Sequence, residues 1–173
     1  MSAAPRRHRG VVIDCLQYCM YSDAILRDLH EGGVDAIHVT IAYHEDFRET
    51  VANVSRWNAL FAAYPDLIFP GRSGADVRRA RGEGRTAVFF GLQNCSPIED
   101  DIGLVEICHT LGIRFMQLSY NNQSLLASGC YETEDAGITR MGREVITEMN
   151  RVGMVIDMSH SGSRSTMEAI TIT

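Results

Sequence analysis

A chain of 173 residues that is 45% apolar and 22% charged lies in the ordinary globular range and holds material for one core in a single domain. Its formal net charge of -6, with acids and bases interspersed, excludes a nucleic-acid footprint and a basic membrane-surface patch. No segment approaches the ~20 apolar residues of a membrane span, and the run Val11 to Ile13 behind the basic opening MSAAPRRHRG is too short for a secretory signal, so a cytoplasmic location is expected.

Val11 to Cys15 reads as a short buried strand ending in a polar turn. Residues 21 to 31 place Ala24, Ile25, Leu26 and Leu29 at helical spacing before the stop Gly32-Gly33. Val34 to Ile41 is β-branched and apolar, a second strand. Glu45 to Tyr64 is a long helix with Phe47, Val51, Val54, Trp57, Leu60 and Phe61 on one stripe, stopped by Pro65. Leu67 to Phe69 is a short extended piece, Ser73 caps a helix to about Arg81, and Gly82 and Gly84 precede a third long strand, Thr86 to Gly91. A helix from about Asp101 to Leu111, a strand Ile113 to Leu118 and a polar loop Ser119 to Ala136 follow. The helix Thr139 to Arg151, a buried strand Met154 to Met158 and a last helix complete the chain.

Apolar strands without alternation, each followed by a helix, predict a parallel sheet covered on both faces. Five long strands are about five β/α units, which suits either an open doubly wound sheet or the N-terminal part of an eight-stranded barrel. The first β/α turn, DCLQYC, lacks the glycines of a dinucleotide site and weakens the first option.

Strand ends are where such folds place their chemistry. His160 closes VIDMSH at the end of the fifth long strand, the position of a metal ligand or catalytic group, although an isolated histidine is as often structural. Asp157 alternates to the opposite face and is expected to face the helix layer or pair locally. Gln93 follows the third long strand in FFGLQNCSP; its amide can bind a ligand but cannot serve as a base. Tyr120 and Asn121 open SYNNQSLL at the next strand end, where substrate contact competes with a plain solvated turn. His38, His44 and His109 read as isolated structural histidines, and His8 and His30 carry no signal. The five cysteines, an odd and scattered set, argue against a disulfide framework; Cys15 and Cys19 read as small buried residues rather than a zinc knuckle.

The run GITRMGREVITEMNRVGMVIDMSH, Gly137 to His160, resembles the membrane (renal) dipeptidase family of zinc peptidases in the amidohydrolase superfamily, which runs close to G-x-T-x-F-G-x-E-V-V-x-E-M-N-R-L-G-M-x-I-D-L-S-H. Weaker correspondence extends upstream through LGIRFMQLSYNN, FFGLQNC and VVIDCLQY. The resemblance implies the N-terminal part of a (β/α)8 TIM-type barrel, two zinc ions bridged by a carboxylate, and hydrolysis of dipeptides or related small amides. It carries a zinc-ligand role onto His160. The family's first-strand His-x-Asp pair falls on Leu16 and Tyr18, its bridging glutamate on Gln93, and its substrate-contacting histidine on Tyr120. A further histidine, an arginine and an aspartate of the family are expected beyond Thr173.

The reading is therefore a dipeptidase-like hydrolase with an altered metal site, carrying zinc sub-stoichiometrically or at a single site through His160. Its alternative is a metal-free, non-catalytic relative binding a small amide or peptide at Gln93, Tyr120 and Asn121. A divergent enzyme running another reaction on the same barrel is a third possibility. The expected partners are a small molecule or dipeptide and a second copy of the chain, since the first and fifth long strands would be open edges.

Overall fold

The computed structural model describes residues 10–173; the basic stretch before Gly10, with His8, lies outside them. Among the described residues six strands and six α-helices alternate. They are β1 (Ile13–Gln17), α1 (Asp23–Glu31), β2 (Ala36–Ala42), α2 (Phe47–Ala63), β3 (Ile68–Pro70), α3 (Gly74–Glu83), β4 (Thr86–Leu92), α4 (Gly103–Leu111), β5 (Ile113–Gln117), α5 (Arg140–Val152), β6 (Val155–Asp157) and α6 (Ser163–Ile172). A 3₁₀ turn, Ser96–Ile98, separates β4 from α4. The short extended piece at residues 67 to 69 is thus a sixth strand, pairing in parallel with β4. The strand order is β1-β2-β4-β5-β6, which makes β1 and β6 the ends of the order, as the sequence predicts for open edges.

The chain divides into two compact units, one holding the residues up to Thr40 with Val54–Phe90, the other Ile41–Asn53 with Gly91–Thr173. In the first unit β1 pairs in parallel with β2. A cluster of Ala36, Phe69, Ala80 and Ala87, with Val77 and Phe89 against it, forms part of the core. Small side chains here bring α3 close to the strands. The guanidinium groups of Arg79 and Arg85 lie 4.6 and 4.4 Å from the centroid of the Phe69 ring, adding cation–π attraction to its burial. On the α2 side, Trp57 packs edge-on against Tyr21 at 4.7 Å and next to Phe61 and Phe90; of the stripe that the helical spacing predicts, Val54 and Trp57 are buried whereas Val51 is 37% exposed. Buried Asp35 accepts the Val12 amide N–H at 2.8 Å and pairs with Arg81 at 3.1 Å, which fixes where β1 begins.

In the second unit β5 pairs in parallel with β6, matching Gln117 to Asp157. Helix α5 buries Gly142, Val145, Ile146 and Met149, one face at 3.6-residue spacing. Thr139 caps its start by accepting the Gly142 N–H at 2.9 Å, and Gly153, at φ 80°, ends it in the left-handed conformation that favours glycine. The loop between β5 and α5 is tied down rather than solvated throughout. Ser124 donates to the Leu118 carbonyl at 2.6 Å and accepts the N–H groups of Leu126 and Ala127. Its far end crosses the chain after β6, where the Cys130 N–H donates to the His160 carbonyl and the Gly162 N–H to the Ser128 carbonyl, both at 2.9 Å.

Two expectations of burial fail. Val11 and Ile13 are 48% and 51% exposed, and β6 leaves Val155 49% exposed. Both runs sit at an end of the strand order, where one neighbour is missing. Cys15 and Cys19 are exposed for the same reason: they lie in and just after β1 rather than under it.

Candidate functional site

Four side chains from three strand ends meet in the second unit. Tyr43 directly follows β2, Tyr120 and Asn121 follow β5, and His160 follows β6. The Tyr43 and Tyr120 hydroxyls are hydrogen-bonded to each other, and their rings lie 4.3 Å apart between centroids. The Tyr120 ring in turn covers the imidazole of His160 at 4.2 Å, tilted by 31°. Next to it, His160 Nδ1 lies 2.8 Å from Asn121 Oδ1. An amide oxygen only accepts, so Nδ1 carries the proton and Nε2 keeps its lone pair.

The backbone is unusual at the two residues of that pair. Asn121 has φ 62° and His160 φ 63°, both left-handed, a region in which Asn and His are enriched among non-glycine residues. The loop supplies what holds them there. Gly129 bridges Ser161 in antiparallel fashion, and the Tyr131 N–H donates to the Asn121 carbonyl at 2.8 Å. A β-carbon on Gly129 would collide with the backbone of Asn121, so only glycine permits this approach.

Gln93 is buried just past β4, and its amide N–H donates to the Ala42 carbonyl at 2.9 Å, placing its backbone beside Tyr43. Asp157 pairs locally as expected, accepting Gln117 Nε2 at 3.1 Å and the Ser159 N–H at 2.9 Å. The structure therefore brings Tyr120, Asn121 and His160 together, sets Gln93 on the neighbouring strand end, and adds Tyr43. The remaining implied positions belong to the first unit. Leu16 there has φ 77° at an irregularity in the β1 register between Asp14 and Gln17, and Tyr18 is 78% exposed.

A groove of about 560 Å³ opens beside Tyr120, lined among others by His44, Asn94, Ser96 and Glu99. His44 and Asn94 are functional candidates that isolated reading passed over, although each follows a strand by two residues, the signal that picks out Tyr120 and His160. The Cys95 N–H donates to Asn94 Oδ1 at 2.8 Å, which turns the amide nitrogen toward His44 Nδ1 at 3.1 Å. His44 Nδ1 therefore accepts, and its ring proton sits on Nε2. Burial pushes the Cys95 thiol up, so this lining residue offers a thiol rather than a thiolate.

The donor set does not fit a two-zinc centre. Among the described residues no group of three or more His, Cys, Asp or Glu could hold a metal ion. Leu16 has no donor atom, Gln93 is uncharged, and His160 Nε2 is the single imidazole lone pair of the cluster.

Comparison with known proteins gives the fold and the family. The chain is 39% identical to an amidohydrolase from Pseudomonas aeruginosa whose crystal structure superposes with a TM-score of 0.90 over 94% of this chain and 50% of that one. It also matches the probable dipeptidase PvdM of the same organism in fold, with 15% identity, a TM-score of 0.82, and coverage of 95% of this chain and 50% of that one. The dipeptidase tcpJ of Claviceps purpurea is 25% identical over 142 residues, 80% of this chain and 32% of that protein. The chain spans about half the length of these solved relatives and about a third of the curated ones. Its α/β fold with a parallel sheet is that of the N-terminal β/α units of a TIM-type barrel. Residues 21–173 match the model of the membrane dipeptidase family, peptidase family M19, and the chain belongs to that family.

Proposed function

We propose that the protein is a dipeptidase-like hydrolase of dipeptides or related small amides, working at the Tyr43, Tyr120, Asn121 and His160 cluster with an altered metal site. The observation that carries this reading is the 2.8 Å contact between His160 Nδ1 and Asn121 Oδ1. It fixes the tautomer and leaves Nε2 as a directed base or ligand beside a strand-end site. Tyr120 and Asn121 orient the substrate amide, Gln93 contributes an uncharged amide at the neighbouring strand end, and no step is assigned to a pair of metal ions. A metal-free, non-catalytic relative that binds a small amide or peptide at the same residues is the second reading, favoured by the neutral Gln93 where a bridging carboxylate would stand.

Elemental analysis of the purified full-length protein tests the metal reading: we expect less than one zinc per chain, or a single zinc lost in His160→Ala. Two tightly held zinc ions per chain would falsify it. Hydrolysis of L-alanyl-L-alanine, abolished in His160→Ala, separates the enzyme from the binding-only relative. Five free cysteines support a reducing, cytoplasmic location.

A further inference from the structure

We propose that the groove beside Tyr120 is an ammonium-binding subsite in which Glu99 is the counter-ion for the amino end of the ligand. The proposal rests on the reading of the neighbouring cluster as an amide or peptide site, and it goes beyond it by naming which end of the ligand lies where.

Charge is the first argument. Glu99 lines the groove together with His44, Asn94, Ser96 and Tyr120, and none of the groove's lining residues is an arginine. The chain has no lysine, so no other basic side chain of that kind competes. Among the described residues the Glu99 carboxylate accepts only the Phe47 N–H, at 3.4 Å, and has no ion pair. Asp35, which lines a groove with Arg81, shows the contrast: its carboxylate is paired with that arginine at 3.1 Å.

Backbone placement is the second. Glu99 sits at φ 51°, ψ -126°, at the end of the 3₁₀ turn, a conformation costly for any residue but glycine. Its N–H donates to the Ser96 carbonyl at 3.0 Å, and buried Pro97 and Ile98 hold the turn. A strained position that carries a solvent-facing carboxylate, where glycine would relieve the strain, points to a task for the carboxylate.

The other groups complete an ammonium-plus-carbonyl recognition set. The Tyr120 and His44 rings meet at a right angle, 5.9 Å between centroids, and wall the groove beside Glu99. Ser96 Oγ is buried and without a hydrogen-bond partner, an acceptor still to be satisfied. His44 Nε2–H is a donor for the carbonyl next to the ammonium. Tyr120 lines this groove and also packs against His160, so the subsite is next to the strand-end cluster.

The test uses L-alaninamide and N-acetyl-L-alaninamide, titrated into the protein while the His44 imidazole resonances are followed by NMR. L-Alaninamide should shift them, and the acetylated probe should bind at least about tenfold more weakly, the loss of one charge-assisted contact. Glu99→Gln should weaken L-alaninamide about tenfold and erase the preference. Glu99→Gly, which relaxes the backbone, should behave like Glu99→Gln. Equal binding of the two probes, a preference that survives Glu99→Gln, or silence of His44 with both probes overturns the proposal. Absence of dipeptide hydrolysis with the preference intact would instead count against the hydrolase and leave the subsite standing.

Discussion

His160 has one nitrogen committed and one open, and the commitment is to the Asn121 side-chain oxygen, whose position the Asn121 backbone sets. Gly129 is the residue through which that dependence can be tested. A methyl group there would press on the carbonyl of Asn121 and the amide of Asn122, rigid main chain that cannot swing aside as a side-chain tip would. Gly129→Ala should therefore destabilise the protein by about 1–3 kcal/mol in urea unfolding and remove the slowly exchanging His160 Nδ1–H signal. Stability within about 0.5 kcal/mol of the wild type, with the signal retained, would show that the loop can give way. At this scale the sequence shows His160, Tyr120 and Asn121 through their place after strands. Tyr43 and Glu99 do not stand out, because their roles come from ring contacts and a turn conformation that residue type alone does not encode, whereas Asn94 is readable from its place two residues after β4. His44 was readable by the same strand-end rule and was masked by the commonness of structural histidines.

Helices are the elements whose limits the sequence gives best, since their caps are local. Ser22, Ser73 and Thr139 precede α1, α3 and α5, and each helix begins at the next residue. Helix α6 is different: Gly162 stands at its cap, and its first amides are satisfied from a distance. The Asp135 carboxylate accepts the Arg164 N–H at 2.6 Å, the Ser165 N–H at 3.2 Å, the Ser165 hydroxyl at 2.8 Å and the Gly137 N–H at 3.0 Å. No local pattern could reveal a cap lent by a loop residue so far upstream. Burial tends to raise the Asp135 carboxyl, but the Ser165 hydroxyl and the Gly137, Ser165 and Arg164 amides outweigh it and hold it below the usual range. A lowered folded-state value means stability that is present above the unfolded value of about 3.9 and lost as pH falls through the folded one. Asp135→Ala removes a helix-capping carboxylate that water screens, so it should cost about 0.5–1 kcal/mol at pH 7, and the gap to the wild type should shrink as pH falls below about 4. Urea unfolding at both pH values measures it; a gap unchanged at acid pH would mean that the charge contributes nothing.

For the molecule as a whole, the repeating strand and helix pattern carries the fold class, and what it leaves out is coverage. An apolar run such as VVI or MVI reports a strand that is buried in some arrangement, and it says nothing about whether a neighbour is present on each side. Here β1 and β6 end the strand order, and Ile13 and Val155 are about half exposed. Around β6, Val155, Ile156, Met158 and Ile170 line a groove of about 450 Å³ with Asn150 and Thr173 among its polar residues, and Ile170 is 60% exposed. A free strand edge flanked by such a surface recruits another chain, because it offers unpaired backbone donors and acceptors together with apolar area to bury. The 173-residue chain alone should therefore sediment as an assembly of two or more copies rather than as a 19.2 kDa monomer. Val155→Lys with Ile170→Glu places charges on both the edge and the helix face, and should move the population toward monomer without loss of far-UV helical signal. A wild-type chain that sediments as a monodisperse monomer with one cooperative melt would defeat the prediction, and an assembly indifferent to the double substitution would place the contact elsewhere.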